Sequence, residues 1–449
     1  ILPLRDISEN PSEDFFSEGL TEVIVTSLVR SNLKVISPRS TIVYKNSDKK
    51  ASQIAAELKV ETLLTGTILR SGEKIRLNIN LIDGKTEQVL WAETYERNLS
   101  EILELQAKFS NDIARQINLK LSPQTPVIAK VNPEAYENYL KGRYLWNQRT
   151  HEGIQKSIDY YKRAIELAPD TSFFHSGLAD SYILLAFYSP NGSQEFYEKG
   201  KDSALKALEL DKDSAKAHTS LGGVLHKYEL DWQGAEHEFQ KAIEINPNYP
   251  TAHQWYAIFL MAKGEHRQAL AEIDKALELD PFSLIMRGDK GWLLYVAGRY
   301  DEAIEQFKAV NELDSNRLGS YLLILAYCKK GMFDEAIDEA NLELKRKGEN
   351  PFFLSMLIYA QALSGKKNEA FSNLEKLKKM PQDFIPAFQY VLVYSALDDK
   401  EKAIDYLEKV VENRSSWQPF LKNEPSLESL RTHPRFQKLM NRLGFPLTP

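Results

Sequence analysis

The sequence predicts two architectures in one chain: an N-terminal α+β domain with helices packed on a mixed sheet, followed by an all-α superhelix of helical repeats. Residues 74–83 alternate apolar and polar side chains, which is the period-two pattern of a strand with one buried face. The chain after residue 133 is almost wholly helix-forming and repeats itself every 33 or 34 positions. Between the two parts, residues 123–133 contain three prolines and little periodicity, which indicates a linker.

The α+β domain is predicted to span residues 1–122 in the order β-α-β-α-β-β-β-α. In its first helix, Phe16, Leu20 and Ile24 fall on one stripe at helical spacing. Gly84 follows Asp83 at a predicted hairpin turn, where glycine tolerates a positive φ. In chain order the predicted elements are a strand at 1–4, a helix at 14–31, a short β-rich run at 33–37, a helix at 51–60, strands at 62–70, 74–83 and 88–96, and a helix at 99–121.

Four segments of this domain carry a family resemblance: SEDFFSEGLTEVIVTSL, VISPRSTIVYK, IAAELKVETLLTGTILRSGEKIRLNINLID and LWAETYERNL. Together they resemble the TolB amino-terminal-like (FlgO-like) domain, in order and over nearly all of residues 1–121. Leu4 stands where that family usually has an aromatic residue, and Lys59 stands where it usually has glycine. The resemblance implies a place in a bacterial signalling protein, ahead of tetratricopeptide repeats.

Alanine and glycine punctuate the repeated helical sequence. Six segments align without gaps on the alanines Ala235, Ala269, Ala303, Ala336, Ala370 and Ala403, and four of them are led at a fixed offset by Gly264, Gly298, Gly331 and Gly365. Alanine lets two helices approach closely, and glycine supplies the left-handed residue that ends the first helix. This period and punctuation resemble the tetratricopeptide repeat, a helix pair that buries its apolar faces by stacking on its neighbours.

About eight tetratricopeptide repeats are predicted over residues 134–416. Two degenerate repeats, which begin near residues 135 and 173, precede the six regular ones. Residues 417–449 resemble the tail that often closes this family and are predicted to cap the last repeat. Eight repeats are enough for a superhelical turn with a concave groove.

No catalytic, cofactor or metal site is predicted. The glycines of the first domain are isolated, so no phosphate-binding loop follows a strand, and hydrolase and kinase motifs do not occur. The eight histidines form no metal-binding pattern, and the single cysteine, Cys328, is expected to be a buried structural thiol. The net charge of −6, spread along the chain, disfavours a nucleic-acid binder, and no apolar run approaches the length of a membrane span.

The concave groove is where binding is expected, because the first helix of each repeat lines it. The repeat register places nine residues at or near groove-facing positions: Arg143, Trp146, Lys216, Thr219, His226, Gln254, Trp292, Tyr295 and Tyr321. For the groove as a whole, the favoured interpretation is a site for a protein or peptide partner, or for a small-molecule ligand. For any single one of these residues, the favoured interpretation is that the side chain fills the stack between helices.

The resemblance implies a non-catalytic sensory or regulatory module whose effector domain lies upstream of residue 1. Such effectors are commonly a class III adenylate or guanylate cyclase, a winged-helix DNA-binding domain as in CadC-like regulators, or a serine/threonine kinase. A stand-alone scaffold protein that uses the groove for assembly is the alternative. A cytoplasmic location is expected, or a periplasmic one if a transmembrane helix lies upstream. No direct contact with nucleic acid or membrane is expected within these residues, and the oligomeric state stays open.

Overall fold

The computed structural model describes residues 1–8, 14–30, 33–116, 131–188, 194–314, 319–381 and 385–445. Within these ranges it has the predicted fold class, a small mixed sheet with helices followed by a helical superhelix. The end of the predicted helix 99–121 and most of the predicted linker 123–133 lie outside the described residues.

One four-stranded sheet, in the order β1-β2-β3-β4, forms the centre of the α+β domain. Its strands are β1 Arg5–Asp6, β2 Thr62–Ser71, β3 Lys74–Asp83 and β4 Val89–Asn98. β1 runs parallel to β2, and the other neighbours are antiparallel. The predicted alternation of β3 is confirmed, since Ile75, Leu77, Ile79 and Leu81 are all buried.

Four helices belong to the α+β domain: α1 Asp14–Arg30, α2 Pro38–Thr41, α3 Ala51–Leu58 and α4 Ile102–Gln116. Phe16 and Leu20 of α1 and Phe109 of α4 share one apolar core with the buried face of β3. This packing explains why the apolar residues of α1 recur at helical spacing.

Three local predictions for this domain are wrong. The first strand lies at Arg5–Asp6 instead of at residues 1–4. Residues 33–37 form no strand, because their backbone bonds outside the sheet: the amide of Ser37 donates to the carbonyl of Leu279, 2.8 Å away in the repeats. The turn between β3 and β4 takes its positive φ at Glu87, at 60°, and not at Gly84. Glycine is needed at position 84 for a different reason, since a Cβ there would lie 2.6 Å from the Cβ of Ala55.

Eight antiparallel helix pairs follow within the described residues, here numbered repeats one to eight. They are α5 Pro133–Asn147, α6 His151–Leu167, α7 Ser172–Tyr188, α8 Gln194–Leu210, α9 Ala215–Val224, α10 Trp232–Ile245, α11 Pro250–Lys263, α12 His266–Leu279, α13 Leu284–Val296, α14 Tyr300–Leu313, α15 Ser320–Lys330, α16 Phe333–Lys347, α17 Pro351–Leu363, α18 Lys367–Lys379, α19 Ala387–Ala396 and α20 Lys400–Glu412. In repeat three, α9 continues through a π-helical turn at Leu225–Glu229.

The predicted punctuation of the repeats is confirmed by burial and by backbone conformation. The six aligned alanines are completely buried at the helix crossings. The four glycines that end first helices have φ values between 76° and 89°, a conformation that costs other residues energy. Alanine and glycine therefore stand where the stacking of helix pairs needs a small side chain or a left-handed turn.

The chain after α20 forms two parts that pack on different sides of the array. A helix, α21 Pro434–Arg442, lies beside the last repeat, where Arg435 forms ion pairs with Asp405 and Glu408 of α20 at 2.8 Å each. Residues 417–430, with 3₁₀ turns at Gln418–Phe420 and Pro425–Leu430, instead turn back along the first helices of earlier repeats. The structure therefore has α21 where the cap is predicted and a separate segment on the inner side of the array.

Candidate functional site

The candidate site is the inner surface of the repeat array, which the odd-numbered helices α5 to α19 line. Two parts of the same chain cover it. The α+β domain contacts repeats one, three and four through α1 and through residues 33–44, here called the crossing segment. Residues 417–430, here called the C-terminal segment, contact repeats three, four, five, six and eight.

A cluster of buried charges joins α1 to the inner surface, here called the ion cluster. Arg143 Nε and Asn147 Nδ2 on α5 each donate to the Glu22 carboxylate over 2.9 Å. Lys216 Nζ lies 3.9 Å from the same carboxylate, and Asp180 Oδ2 lies 3.7 Å from Arg143 Nη1. The Arg143 and Asp180 side chains are only 5% and 2% exposed, so this is a charge network shielded from solvent.

The two carboxyl groups of the ion cluster have opposite pKa shifts. Burial alone raises the pKa of Glu22, but the charges of Arg143 and Lys216 and the hydrogen bonds to the carboxylate outweigh it, and the pKa falls to about 2. For Asp180, burial outweighs the attraction of Arg143, and the pKa is raised. Glu22 is therefore the carboxylate that balances the buried guanidinium, and it reaches Arg143 only when α1 is docked.

Trp146 lies beneath the ion cluster and is completely buried. Three guanidinium groups face its ring, with Arg149 at 3.6 Å, Arg143 at 4.4 Å and Arg39 at 5.7 Å from the ring centroid. Arg39 comes from α2 of the α+β domain, so cation–π attraction adds to the docking.

The crossing segment also binds the α+β domain to repeat four. Ser40 Oγ donates to Asp280 Oδ1 at 2.5 Å and accepts from the Phe282 amide at 2.8 Å. Ser40 and Asp280 are both fully buried. Together with the bond from Ser37 to the Leu279 carbonyl, these contacts fix the crossing segment at the turn that follows α12.

The C-terminal segment contacts the inner surface through aromatic rings. Trp417 stacks on Phe388 of α19, with centroids 4.8 Å apart and planes 7° apart, and its edge meets Trp292 of α13 at 5.9 Å. Phe420 packs against Trp292 at 4.7 Å and against His226 at 5.7 Å. Trp417 also meets Tyr321 of α15 at 6.3 Å, so two aromatic side chains of the segment contact four different repeats.

Polar contacts complete the attachment of the C-terminal segment. The Tyr295 hydroxyl donates to the Glu424 carboxylate at 2.8 Å. Asn423 Nδ2 donates to the carbonyl of Ala262 at 2.8 Å, and Lys329 Nζ contacts a backbone carbonyl of the segment at 3.3 Å. Burial raises the pKa of Glu424 and outweighs its hydrogen bonds from Ser426 and Tyr295.

All nine residues predicted to face the groove lie on or beneath the inner surface, but the groove is not open. Eight of the nine are buried, and the side chain of Lys216 is 18% exposed. Three of them contact the α+β domain: Arg143, Trp146 and Lys216. Four contact the C-terminal segment: His226, Trp292, Tyr295 and Tyr321. Thr219 forms a hydrogen bond within its own helix, and Gln254 forms one with Asp289. The expectation of an open groove is wrong because the chain supplies both covers. Ligand binding by these residues stays a prediction.

Several charged residues of the inner surface were not singled out from the sequence. Asp289 accepts a hydrogen bond of 2.6 Å from Gln254, and burial raises its pKa to about 6. Lys227, whose ammonium lies 4.2 Å from the Phe187 ring centroid, has its pKa lowered by burial to about 8. Asp180 alone carried a signal, since it is the only Asp, Glu, Lys or Arg in helix α7. Charged residues on the other helices gave no such signal, because charges on a helix ordinarily mark its solvated face.

A cavity of about 610 Å³ lies where the end of the array meets repeats two and three. Glu198, Tyr228, Arg414 and Arg442 are among its lining residues, and the Arg414 guanidinium lies 5.1 Å from the centroid of the Tyr228 ring. Within the described ranges, no group of three or more His, Cys, Asp and Glu side chains could hold a metal ion. No helix in the same ranges has the length and apolar character of a membrane span.

Comparison with known families identifies the helical part of the chain. Models of the tetratricopeptide repeat match residues 229–285, 288–351 and 387–416. The array is therefore built of tetratricopeptide repeats, a class that binds protein partners. Residues 1–112 match a model described as the second domain of HilA/YgeH-like transcriptional regulators. The resemblance of the same residues to the TolB amino-terminal-like domain stays a prediction.

Two curated proteins are similar to this chain. A protein of Rhizobium meliloti (strain 1021) named "Putative adenylate cyclase 3" is 28% identical over 231 residues, which cover 50% of this chain and 39% of that protein. "Transcriptional regulator HilA" of Salmonella typhimurium is 25% identical over 355 residues, which cover 78% of this chain and 61% of that protein. The chain thus spans less than two thirds of the length of either relative.

Among solved structures, a tetratricopeptide repeat protein from Parabacteroides merdae matches 56% of this chain and 93% of its own, at 17% identity and a TM-score of 0.41. A thermophilic tetratricopeptide repeat protein from Thermus thermophilus matches 40% of this chain and 90% of its own, at 17% identity and a TM-score of 0.34.

Proposed function

We propose that this chain is the non-catalytic regulatory part of a bacterial signalling protein. Its repeats bind a protein partner, and its α+β domain passes the effect to an effector domain that precedes residue 1 in a longer protein. The observation that carries the proposal is the docking of the α+β domain on the inner surface, through the ion cluster and the crossing segment. A domain held inside the array follows changes in the array, whereas a domain on a free linker does not.

The comparisons support an effector of one of two classes. The model that matches residues 1–112 describes a second domain, and a second domain has another before it. The two relatives, which are longer than this chain, are named as an adenylate cyclase and as a transcriptional regulator. Because ATP and chromosomal DNA are cytoplasmic, an effector of either class acts in the cytoplasm, and we propose the same compartment for this part of the protein.

Regulation requires two states that the partner binds unequally. In the docked state Glu22 balances Arg143, and Ser40 bonds Asp280. A partner that binds the inner surface of repeats one to four needs the same cations, Arg143 and Lys216, and therefore competes with α1. Binding of the partner shifts the population toward the undocked state, and the α+β domain transmits this change to the effector.

The test uses the longer protein and the variant Glu22→Gln, which removes the balancing charge. We expect effector output, measured as cyclic AMP or as transcription from the target promoter, to change by roughly fivefold or more in the absence of partner. The matched control is Glu96→Gln, because Glu96 pairs with Arg76 on the sheet surface, where both side chains are about half exposed. The control is expected to leave the output unchanged.

Hydrogen–deuterium exchange on the same variants reports docking independently of output. We expect faster exchange of α1 amides in Glu22→Gln and no change in Glu96→Gln. If α1 is released while effector output stays at the wild-type level, docking does not regulate the effector and the proposal is overturned.

A further inference from the structure

The C-terminal segment presents a defined pattern to the inner surface. Its residues in direct contact include an aromatic residue, Trp417, a second aromatic residue three positions later, Phe420, and an acidic residue four positions after that, Glu424. Each has its own place: the indole on Phe388, the phenyl ring on Trp292, and the carboxylate on a tyrosine hydroxyl. The inner surface can therefore recognise a segment that carries these three side chains at the same spacing.

Side chains, rather than a shared backbone ladder, attach this segment to the array. The backbone hydrogen bonds found for residues 417–430 within the described part of the chain all stay between residues 410 and 433. The segment therefore folds locally and then packs. A locally folded segment held by side-chain contacts can be replaced by another segment that carries the same side chains at the same spacing.

The inner surface also has polar atoms that the C-terminal segment leaves unbonded. The indole Nε1 of Trp292 and the ring Nε2 of His226 are buried without a hydrogen-bond partner, although both rings touch Phe420. The two side chains are only 6% and 1% exposed. Buried polar groups are normally bonded, so a ligand with a polar group near these atoms would fit this surface more completely than the chain's own segment does.

The connection to the C-terminal segment is strained. Arg414, between α20 and the segment, has a φ of 47°, a left-handed conformation that residues other than glycine rarely adopt. The Ser415 amide, which follows, donates to the Val410 carbonyl at 3.1 Å and closes the last turn of α20. The bonds that hold this turn are made within the end of α20, so the turn does not depend on the packing of the C-terminal segment.

We propose that the inner surface of repeats three to eight is a binding site for a partner protein segment with the pattern aromatic-x-x-aromatic-x-x-x-acid. In this chain the C-terminal segment occupies that site until the partner displaces it. The inference rests on the proposed function for the role of the repeats in partner binding and goes beyond it, because it adds a second binding surface, distinct from the one that α1 covers, and names the chemistry that the partner must carry there.

The experiment titrates a fluorescent peptide of residues 415–431 onto the full chain and measures anisotropy. Occupation by the chain's own segment reduces the apparent affinity by the fraction of open sites. We therefore expect the variant Trp417→Ala/Phe420→Ala, whose own segment lacks both aromatic contacts, to bind the peptide at least about tenfold more tightly than the wild type. The control Gln437→Ala, on the exposed face of α21, should bind like the wild type.

Two further variants show whether the peptide occupies the proposed site. In the Trp417→Ala/Phe420→Ala chain, adding Tyr295→Phe removes the hydroxyl that bonds the carboxylate of Glu424. It should weaken binding of the native peptide but not of a peptide with alanine in place of that glutamate, because alanine has no oxygen to accept the hydroxyl. Circular dichroism checks the fold, and if the double variant does not fold, Asn423→Ala, which removes only one side-chain hydrogen bond to the array, takes its place.

Equal peptide affinity for the opened and wild-type chains, both folded, would overturn the proposal. So would a loss of affinity on Tyr295→Phe that is the same for both peptides. A wild-type dimer that the peptide dissociates would identify a second copy of this chain as the occupant and would also overturn it. In each case Glu22→Gln can still change effector output, so the proposed function is judged separately.

Discussion

Glu22→Gln is expected to lower the free energy of unfolding by about 3 kcal/mol at neutral pH. The pKa of this carboxyl falls from an ordinary value of 4.5 to about 2 in the folded chain, and a pKa change of one unit corresponds to about 1.4 kcal/mol. The side chain is only 15% exposed, so solvent screens the interaction little. Glutamine keeps the shape but leaves Arg143 without its main carboxylate, and loss of one partner of a buried ion pair costs about 3–5 kcal/mol.

The same pKa shift predicts how the effect of Glu22→Gln depends on pH. A carboxyl with a lowered folded pKa contributes stability that is complete above its unfolded pKa, here 4.5, and is lost as the pH falls through about 2. The difference between wild type and variant should therefore be complete at pH 7 and decrease between pH 4.5 and pH 2. Urea unfolding followed by circular dichroism at pH 7, 4 and 3 measures it. Equal midpoints at pH 7, or a difference that persists unchanged at pH 3, would refute this account of the ion cluster.

Three further predictions concern the repeats. Ala269→Trp should lower the free energy of unfolding by about 1–3 kcal/mol or more, because Ala269 is completely buried where two helices cross, and an unchanged melting temperature would contradict the repeat register. Asp289→Asn should be more stable than wild type at pH 8, where a carboxyl whose pKa is raised to about 6 bears a burial penalty, and this advantage should disappear in urea titrations as the pH falls from 6 to about 4. Cys328, with its pKa raised by burial to about 12, should react with a disulfide reagent at pH 8 only after denaturant is added; rapid reaction of the native chain would show that the thiol is accessible.

The repeats could be predicted from the sequence because each carries its own local information. Ala269 and Gly264 lie within one helix pair, and their roles at the helix crossing and the turn need no knowledge of the rest of the chain. The same is true of β3, whose alternating side chains show its buried face. Local patterns of this kind persist in a folded protein because neighbouring segments supply most of the contacts.

The contacts by which other parts of the chain cover the inner surface could not be predicted in this way. Glu22 and Arg143 are 121 positions apart, and neither residue lies in a pattern that indicates the other. Residues 33–37 have the composition of a strand, but their backbone has a partner in the turn after α12 instead of in the sheet. Composition shows that a segment prefers an extended backbone, not which distant segment will bond it.

The bond between Ser40 and Asp280 joins residues 240 positions apart, and this distance has a consequence during synthesis. A ribosome that adds about 5–20 residues per second completes the turn after α12 roughly 12–50 s after the crossing segment. Throughout that interval Tyr44 lacks the ring of Phe282, its neighbour in the finished protein. The nascent α+β domain therefore presents an incomplete apolar surface to chaperones and to other nascent chains until repeat four has left the ribosome.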